Sequence, residues 1–264
     1  MHKPLRITAL VAACTVAGGA LYGAGAATAG QSTANSTHEP YNIGLLVKDI
    51  DTYYGTTLDS NGVYQASPDS PYAKDLARLD RSARKYIDRA ARKAHHRGEK
   101  PAVVFDIDDT LLLSLDYEKK TNYTYNSTTW AEYVNKADRP AVFGSPELVR
   151  YADSKGVEVF YNSGLSEAQR SAAVQNLKKI GADVNLDAGH MFLKDKANPP
   201  SYLGDCATPG TWNCTTVQYK SGTRKHIEDL GYSVIANFGD QYSDLDGGYA
   251  DRTYKLPNPT YFVS

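Results

Sequence analysis

Apolar residues along this chain occur in short runs that alternate with stretches of helical periodicity. Between residues 71 and 96 they recur every three or four positions, which predicts an amphipathic helix. Short apolar runs predict strands at 102–106, 157–161, 189–193, 233–238 and 252–256. Helical segments are predicted between them at 145–154, 166–180 and 221–230. This alternation predicts an α/β fold, with a parallel sheet and helices on both of its faces.

Acidic residues follow the first of these strands. Asp106, Asp108 and Asp109 come directly after the run 102–105. Because residues i and i+2 of an extended chain point to the same side, Asp106 and Asp108 are expected to face one reacting group, with Asp109 turned away. Two anions this close need a cation or a shared proton. A polar cap on the turn and an acidic calcium loop are the alternative interpretations.

A second acidic cluster, Asp240 and Asp244, follows the apolar run 234–238. Ligands bind beyond the carboxyl ends of the strands in such a sheet, so both clusters are expected at one site. Carboxylates without a nearby His or Cys suit a hard cation such as Mg²⁺, although residue type alone leaves calcium open.

A phosphate-binding group is predicted between the two clusters. Ser163 and Gly164 follow the run 157–162, and Lys220 directly precedes the helix predicted at 221–230. A hydroxyl and a backbone N–H at a strand end, together with an ammonium group at a helix start, would bind phosphate oxygens.

This order of motifs resembles the haloacid dehalogenase-like phosphatases. The later segments, Tyr219-Lys220-Ser221 with Arg224, 239–245 and 252–259, are similar to secreted acid phosphatases of the class B and plant vegetative storage protein type. The resemblance runs from about residue 101 to the C-terminus. It implies a Rossmann-like fold with a small cap insertion at about 115–144.

The resemblance also implies a role for each matching residue. Asp106 would attack phosphorus and form an aspartyl-phosphate. Asp108 would protonate the leaving alkoxide and then deprotonate water, which suits an acidic working pH. The groups expected to hold Mg²⁺ are Asp106, the Asp108 main-chain carbonyl, Asp240 and Asp244. The groups expected to bind phosphate oxygens are Ser163, Gly164 and Lys220.

Two positions depart from the family's pattern. Leu165 stands where many relatives carry Arg, which leaves substrate preference open, and Asn162 is polar where an apolar residue is common. The expected activity is hydrolysis of a small-molecule phosphomonoester. Storage-type relatives retain the fold without the nucleophile, so a non-catalytic storage or phosphate-binding protein is the main alternative, and the presence of Asp106 speaks against it. A phosphotransferase would use the same site.

The insertion predicted at about 115–144 exceeds the usual length of a connection between elements. Its aromatic residues are Tyr117, Tyr123, Tyr125, Trp130 and Tyr133. They would either form a wall against an organic leaving group or fill a small core of the insertion itself. The sequence supports both interpretations equally.

The N-terminus predicts export. Residues 1–29 have a basic start, an apolar run from 7 to 25 and a small-residue cleavage site at Ala27-Thr28-Ala29, as a secretory signal peptide does. The alternatives are a transmembrane anchor, weakened by five glycines between positions 18 and 30 and by the absence of basic residues after the run, and lipid attachment at Cys14 at the cell surface. Residues 30–40 are predicted to be a disordered spacer, and 41–264 to be the phosphatase domain.

Removal of the leader leaves two cysteines, Cys206 and Cys214, in an oxidising compartment. A disulfide between them is predicted, with a free pair as the alternative. Two thiols with no His in that stretch fall short of a zinc site. The net charge of −1, from 29 basic and 30 acidic residues, gives no support for nucleic-acid binding or for adsorption to a membrane.

Overall fold

The computed structural model describes residues 40–264, so the predicted signal peptide, Cys14 and the predicted spacer up to residue 39 lie outside the described residues. The helices are α1 (Ile43–Tyr54), α2 (Pro71–His96), α3 (Leu115–Lys120), α4 (Ser127–Asn135), α5 (Ser145–Ser154), α6 (Arg170–Lys179), α7 (Thr216–Asp229) and α8 (Tyr242–Leu245). The strands are β1 (Thr57–Leu58), β2 (Tyr64–Gln65), β3 (Lys100–Phe105), β4 (Glu158–Ser166), β5 (Met191–Lys194), β6 (Ala207–Thr208), β7 (Thr211–Trp212), β8 (Tyr232–Gly239) and β9 (Thr253–Lys255).

Five strands form the main sheet in the order β5-β4-β3-β8-β9. Every neighbouring pair in it is parallel. The last residue of β3, Phe105, pairs with Tyr161 of β4 on one side and with Phe238 of β8 on the other. The chain segments that carry the two acidic clusters therefore leave the sheet side by side, at the same edge.

Successive residues of β3 contribute to two separate cores. Val103 and Phe105 belong to the larger apolar cluster, which also contains Ile87 of α2. Ala102 and Val104 belong to a smaller cluster, which contains Ile227 of α7. Because successive side chains of a strand point to opposite faces, helices pack on both faces of the sheet. The predicted α/β fold is confirmed.

Helices α2 and α5 have the predicted bounds, whereas α7 begins at Thr216, five residues before the predicted start at 221. Its N-terminus is closed by a reciprocal pair: the Thr215 hydroxyl accepts from Gln218 N–H, and the Gln218 side chain accepts from Thr215 N–H. Lys220 therefore lies in the second turn of α7. The prediction that Lys220 stands at a helix start is wrong, because this cap was not recognised in the sequence.

Strand β4 also differs from its prediction, since it runs on to Ser166 and includes Ser163 and Gly164. Its pairing with β5 shifts register between Asn162 and Ser166, so residues 163–165 stand outside the regular ladder.

The predicted disulfide between Cys206 and Cys214 is formed, and it closes the β6–β7 hairpin. The predicted insertion contains α3 and α4. Within residues 40–264, helices that combine the length and the apolar character needed to cross a membrane are absent.

Candidate active site

A cavity of about 410 Å³ opens at the carboxyl ends of the central strands. It lies beyond β3 and β8, where a doubly wound sheet binds its ligands. The charged residues that line it are Asp106, Asp108, Glu118, Lys194, Lys220, Asp240 and Asp244.

Three carboxylates converge at the inner end of this cavity. One oxygen from each of Asp106, Asp240 and Asp244 lies within 4.8 Å of the others, and all three side chains are buried. Burial raises the pKa of Asp106 well above its usual range, and it raises the pKa of Asp240 to about 7, with the Asp244 charge adding to both shifts. Clustered, desolvated oxygen ligands of this kind fit a hard divalent cation.

Lys220 supplies a positive charge within this cluster. Its Nζ lies 2.5 Å from Asp106 Oδ1 and 2.9 Å from Asp244 Oδ1. These two carboxylates raise the pKa of Lys220 despite its burial, so the ammonium is charged. The structure thus brings together Lys220 and three of the four predicted metal-binding acids.

Asn162 holds Lys220 from two directions. Its side-chain Nδ2 donates to the main-chain oxygen of Lys220 at 2.9 Å. Its main-chain oxygen accepts a hydrogen bond from Lys220 Nζ. In the sequence, Asn162 is a polar residue where an apolar one is common. The structure explains this residue, because Asn162 holds Lys220 in position.

Asp108 also lines the cavity, and its carboxylate is held by Arg139. Arg139 Nη1 donates to Asp108 Oδ1 at 2.6 Å, and the Arg139 side chain is almost completely buried. The Arg139 main chain is fixed by Asn176, whose side chain bonds both its N–H and its carbonyl at 2.9 Å. The Arg139 guanidinium lies 5.4 Å from the centre of the Trp130 ring. Sequence reasoning missed Arg139, because it stands 31 residues from Asp108 in the insertion.

Asp109 does not line the cavity. It is buried, has a positive φ of 52°, and accepts a hydrogen bond from Ser114 N–H at 2.9 Å. Burial raises the pKa of its carboxyl to about 6. Asp109 therefore shapes the turn after β3, while Asp106 and Asp108 face the cavity.

Of the three predicted phosphate-binding residues, two line the cavity and one does not. Gly164 and Lys220 line the cavity, whereas Ser163 has no exposed surface and is not part of the lining. The Ser163 hydroxyl accepts a hydrogen bond from Leu165 N–H at 3.2 Å. Lys194, at the end of β5, also lines the cavity, and a side chain at Gly164 would lie 3.9 Å from its Nζ. Sequence reasoning missed Lys194.

The second acidic cluster is fixed by amide and guanidinium groups. Asp240 Oδ2 accepts from Gln241 Nε2 and from Asn258 Nδ2, both at 2.7 Å. Buried Arg224 donates to the main-chain oxygen of Asp244 at 2.6 Å. Gly239 leaves room for Asp244, since a side chain there would come within 2.9 Å of Asp244 Oδ2. The C-terminal segments that carry the family resemblance therefore hold the acids in place.

Both interpretations of the insertion's aromatic residues are partly correct. Tyr123, Tyr125 and Trp130 line the cavity. Tyr117 is buried, and its ring lies 5.0 Å from Trp130 and 5.4 Å from Tyr133, so these rings form a small core of the insertion.

Residues 56–264 match the family described as HAD superfamily, subfamily IIIB (acid phosphatase). The chain belongs to this family. The resemblance inferred from the motifs is thereby confirmed. In sequence the chain is 34% identical over 172 residues to the stem 28 kDa glycoprotein of Glycine max, a match that covers 62% of this chain and 61% of the relative.

The similar proteins include both an acid phosphatase and a vegetative storage protein. The chain is 30% identical to acid phosphatase 1 of Solanum lycopersicum, covering 61% of this chain and 58% of the relative. It is 31% identical to vegetative storage protein 1 of Arabidopsis thaliana, covering 61% of this chain and 54% of the relative. The chain thus spans between half and two thirds of the length of these curated relatives.

The fold is similar to that of the class C acid phosphatase from Bacillus anthracis, with a TM-score of 0.53 and 22% sequence identity. The match covers 71% of this chain and 80% of that structure. It supports the fold assignment made from the sheet topology.

Proposed function

We propose that the protein is a secreted, Mg²⁺-dependent acid phosphatase that hydrolyses phosphomonoesters through an aspartyl-phosphate intermediate. The observation that carries this proposal is the placement of Asp106 beside Lys220, with Asp108 facing the same cavity. A nucleophile, a phosphate-binding cation and a proton donor are the three groups that phosphoryl transfer to a carboxylate requires.

In the first step, an Asp106 carboxylate oxygen attacks phosphorus and the bond from phosphorus to the ester oxygen breaks. Asp108 donates its proton to that departing oxygen, so the leaving group departs as an alcohol. In the second step, Asp108 takes a proton from water as the water attacks the aspartyl-phosphate, which releases inorganic phosphate and restores Asp106. Lys220 and the backbone N–H of Gly164 would bind the non-bridging oxygens.

Asp106, Asp240 and Asp244 are the side chains that would hold Mg²⁺, since their oxygens converge within 4.8 Å. When bound, the ion supplies positive charge that offsets the repulsion between the nucleophile and the phosphate dianion.

Export is supported by two features of the chain. The predicted leader ends at Ala29, and the Cys206–Cys214 disulfide is the kind of bond that persists outside a reducing cytosol. Intact mass of the protein recovered from culture medium tests this. A mature chain that begins at residue 30 supports cleavage, whereas a lipid on Cys14 would show the anchored form.

The activity is tested with an aryl phosphate, measured with Mg²⁺ and with a chelator. Asp106→Asn is expected to lower turnover by about 10³-fold or more, and chelation is expected to abolish it. Asp153→Asn, which changes an exposed residue of α5, is the matched control. Full activity of Asp106→Asn would remove Asp106 as the nucleophile, whereas an inactive native protein would favour a storage role for the site. Phosphorylation of an added alcohol would show phosphotransfer instead of hydrolysis.

A further inference from the structure

The insertion contributes to the cavity wall a carboxyl group without a partner in the protein. Glu118 is 6% exposed and lines the cavity. Within residues 40–264, its carboxylate makes no hydrogen bond or ion pair. Its basic neighbours in α3 are already paired, Lys119 with Asp51 at 2.7 Å and Lys120 with Asp116 at 2.9 Å. A largely buried carboxyl group without a protein partner is neutralised either by a proton or by a ligand that brings a positive charge, and its place on the cavity wall gives such a ligand access.

Aromatic rings line the same part of the cavity. Tyr123 lies beside Glu118, since the Tyr123 N–H donates to the Glu118 main-chain oxygen at 2.8 Å. Tyr123 has a positive φ of 57°, directly after Asn122 with a φ of 51°. A bulky residue rarely adopts this backbone conformation, and Tyr123 lines the cavity. Tyr125, which is 68% exposed, and Trp130 complete this wall.

The basic residues that line the cavity belong to the proposed phosphate site. Of the described residues that line it, the basic ones are Lys194 and Lys220. Lys220 contacts Asp106, and Lys194 lies next to Gly164, so both belong to the phosphate end. Arg139 packs on Trp130, but Asp108 neutralises it. The proposed phosphate site therefore combines two lysines with four carboxylates, whereas the wall contributed by the insertion combines aromatic rings with one carboxylate.

We propose that Glu118, Tyr123, Tyr125 and Trp130 form a subsite for a positively charged leaving group, so that the preferred substrates are phosphomonoesters of amino alcohols. Aromatic faces together with a carboxylate are the chemistry that recognises ammonium and quaternary ammonium groups. A neutral aromatic group would stack on the same rings but would leave Glu118 unpaired. This inference rests on the proposed phosphatase function and names the substrate class of that site.

The test compares phosphocholine with its neutral isostere, in which a tert-butyl group replaces the trimethylammonium group. The two esters have the same shape, so the ratio of their kcat/KM values isolates the positive charge. At pH 7 and above, where Glu118 is ionised, the native protein is expected to favour phosphocholine by about 10- to 30-fold. Glu118→Gln is expected to reduce that ratio to about 2 or less. Glu132→Gln, which changes an exposed glutamate of α4 in the same insertion, is expected to keep the native ratio.

Tyr125→Ala tests the aromatic wall without disturbing a buried residue, and it is expected to lower the ratio by about 2- to 5-fold. Equal use of both esters by the native protein would overturn the proposal, as would an unchanged ratio in Glu118→Gln. The proposal would also be overturned if the native protein hydrolysed adenosine monophosphate faster than either ester and Glu118→Gln slowed that hydrolysis. The subsite would then bind a nucleobase instead of an ammonium group. Failure of the native protein to hydrolyse any ester would instead contradict the proposed function.

Discussion

Arg139 Nη1 lies 2.6 Å from Asp108 Oδ1. This contact joins the insertion between β3 and α5 to the segment that carries the proposed nucleophile. The Arg139 side chain is fixed by burial, and its main chain is fixed by Asn176, so it gives Asp108 one defined orientation. The insertion therefore contributes to the proposed chemistry as well as to the cavity wall.

Replacing Arg139 by Gln is expected to slow the enzyme in a way that depends on the leaving group. Asp108 would lose its orientation, and proton donation matters most for poor leaving groups. We expect kcat for an alkyl phosphate to fall by about 100-fold, and kcat for a nitrophenyl phosphate to fall by less than about 10-fold. Steady-state kinetics with both esters measures this. Arg150→Gln, at a half-exposed position of α5, is the control, and equal losses for both esters would contradict the prediction.

Gly239→Ala is expected to weaken metal binding, because the added methyl group would clash with the Asp244 side chain. Mg²⁺ at about 100 times its Kd is expected to stabilise the native protein by about 2.7 kcal/mol. The variant should show a much smaller Mg²⁺-dependent rise in Tm. Thermal unfolding with Mg²⁺ and with chelator measures both. An unchanged rise in the variant would show that Asp244 is not a ligand.

Asn162→Ala is expected to cost both stability and activity. It removes the Nδ2 hydrogen bond to the Lys220 main-chain oxygen, at a cost of about 0.5–1.5 kcal/mol. Lys220 would then be less firmly held against Asp106, so kcat should fall as well. Urea unfolding and steady-state kinetics measure the two effects. Loss of stability with full kcat would show that Asn162 only supports the fold.

Glu118 is expected to make stability fall as pH rises. Burial and the nearby Asp109 charge raise the pKa of Glu118 from 4.5 to about 7 in the folded protein. The folded state therefore binds this proton more tightly than the unfolded state does. The resulting stabilisation is complete below about pH 4.5 and is lost as pH rises through about 7.

Glu118→Gln removes this titration. Its free energy of unfolding, relative to the native protein, should therefore rise between pH 5 and pH 8, by on the order of 1 kcal/mol after allowing for solvent at the cavity mouth. Urea unfolding of metal-free protein at both pH values measures the difference. Glu132→Gln should show none, and a difference that falls with pH would contradict the assignment.

Loss of the Cys206–Cys214 disulfide is expected to destabilise the protein by about 2–3 kcal/mol, the value that chain entropy gives for so short a loop. The double Cys→Ser variant should show this loss in urea unfolding, and a reducing agent should have no further effect on it. The hairpin also packs against α7, since the Tyr219 ring lies 5.5 Å from the Trp212 ring. A variant as stable as the native protein would show that packing alone holds the hairpin.

Much of the fold could be predicted because hydrophobic periodicity reports which residues face a core. The runs ending at Phe105 and Phe238 were recognisable as buried strands, and their acidic successors were therefore expected at one edge of the sheet. Local chemistry could also mislead, as at α7. The cap formed by Thr215 and Gln218 lies outside the apolar pattern, so the predicted helix began too late. Lys220 was therefore expected just before the helix, whereas it lies in the second turn.

The sequence by itself determined the α/β alternation, the two acidic clusters and the family to which the chain belongs. Each of these features depends on residues that are close together in the sequence. Only the tertiary structure decided which side chains complete the site. Arg139 reaches Asp108 across 31 residues, Asn162 reaches Lys220 across 58, and the chain places Glu118 on the cavity wall without a partner. Periodicity specifies the face on which a residue lies. The contacts between distant residues arise only when the insertion, the strands and α7 pack together.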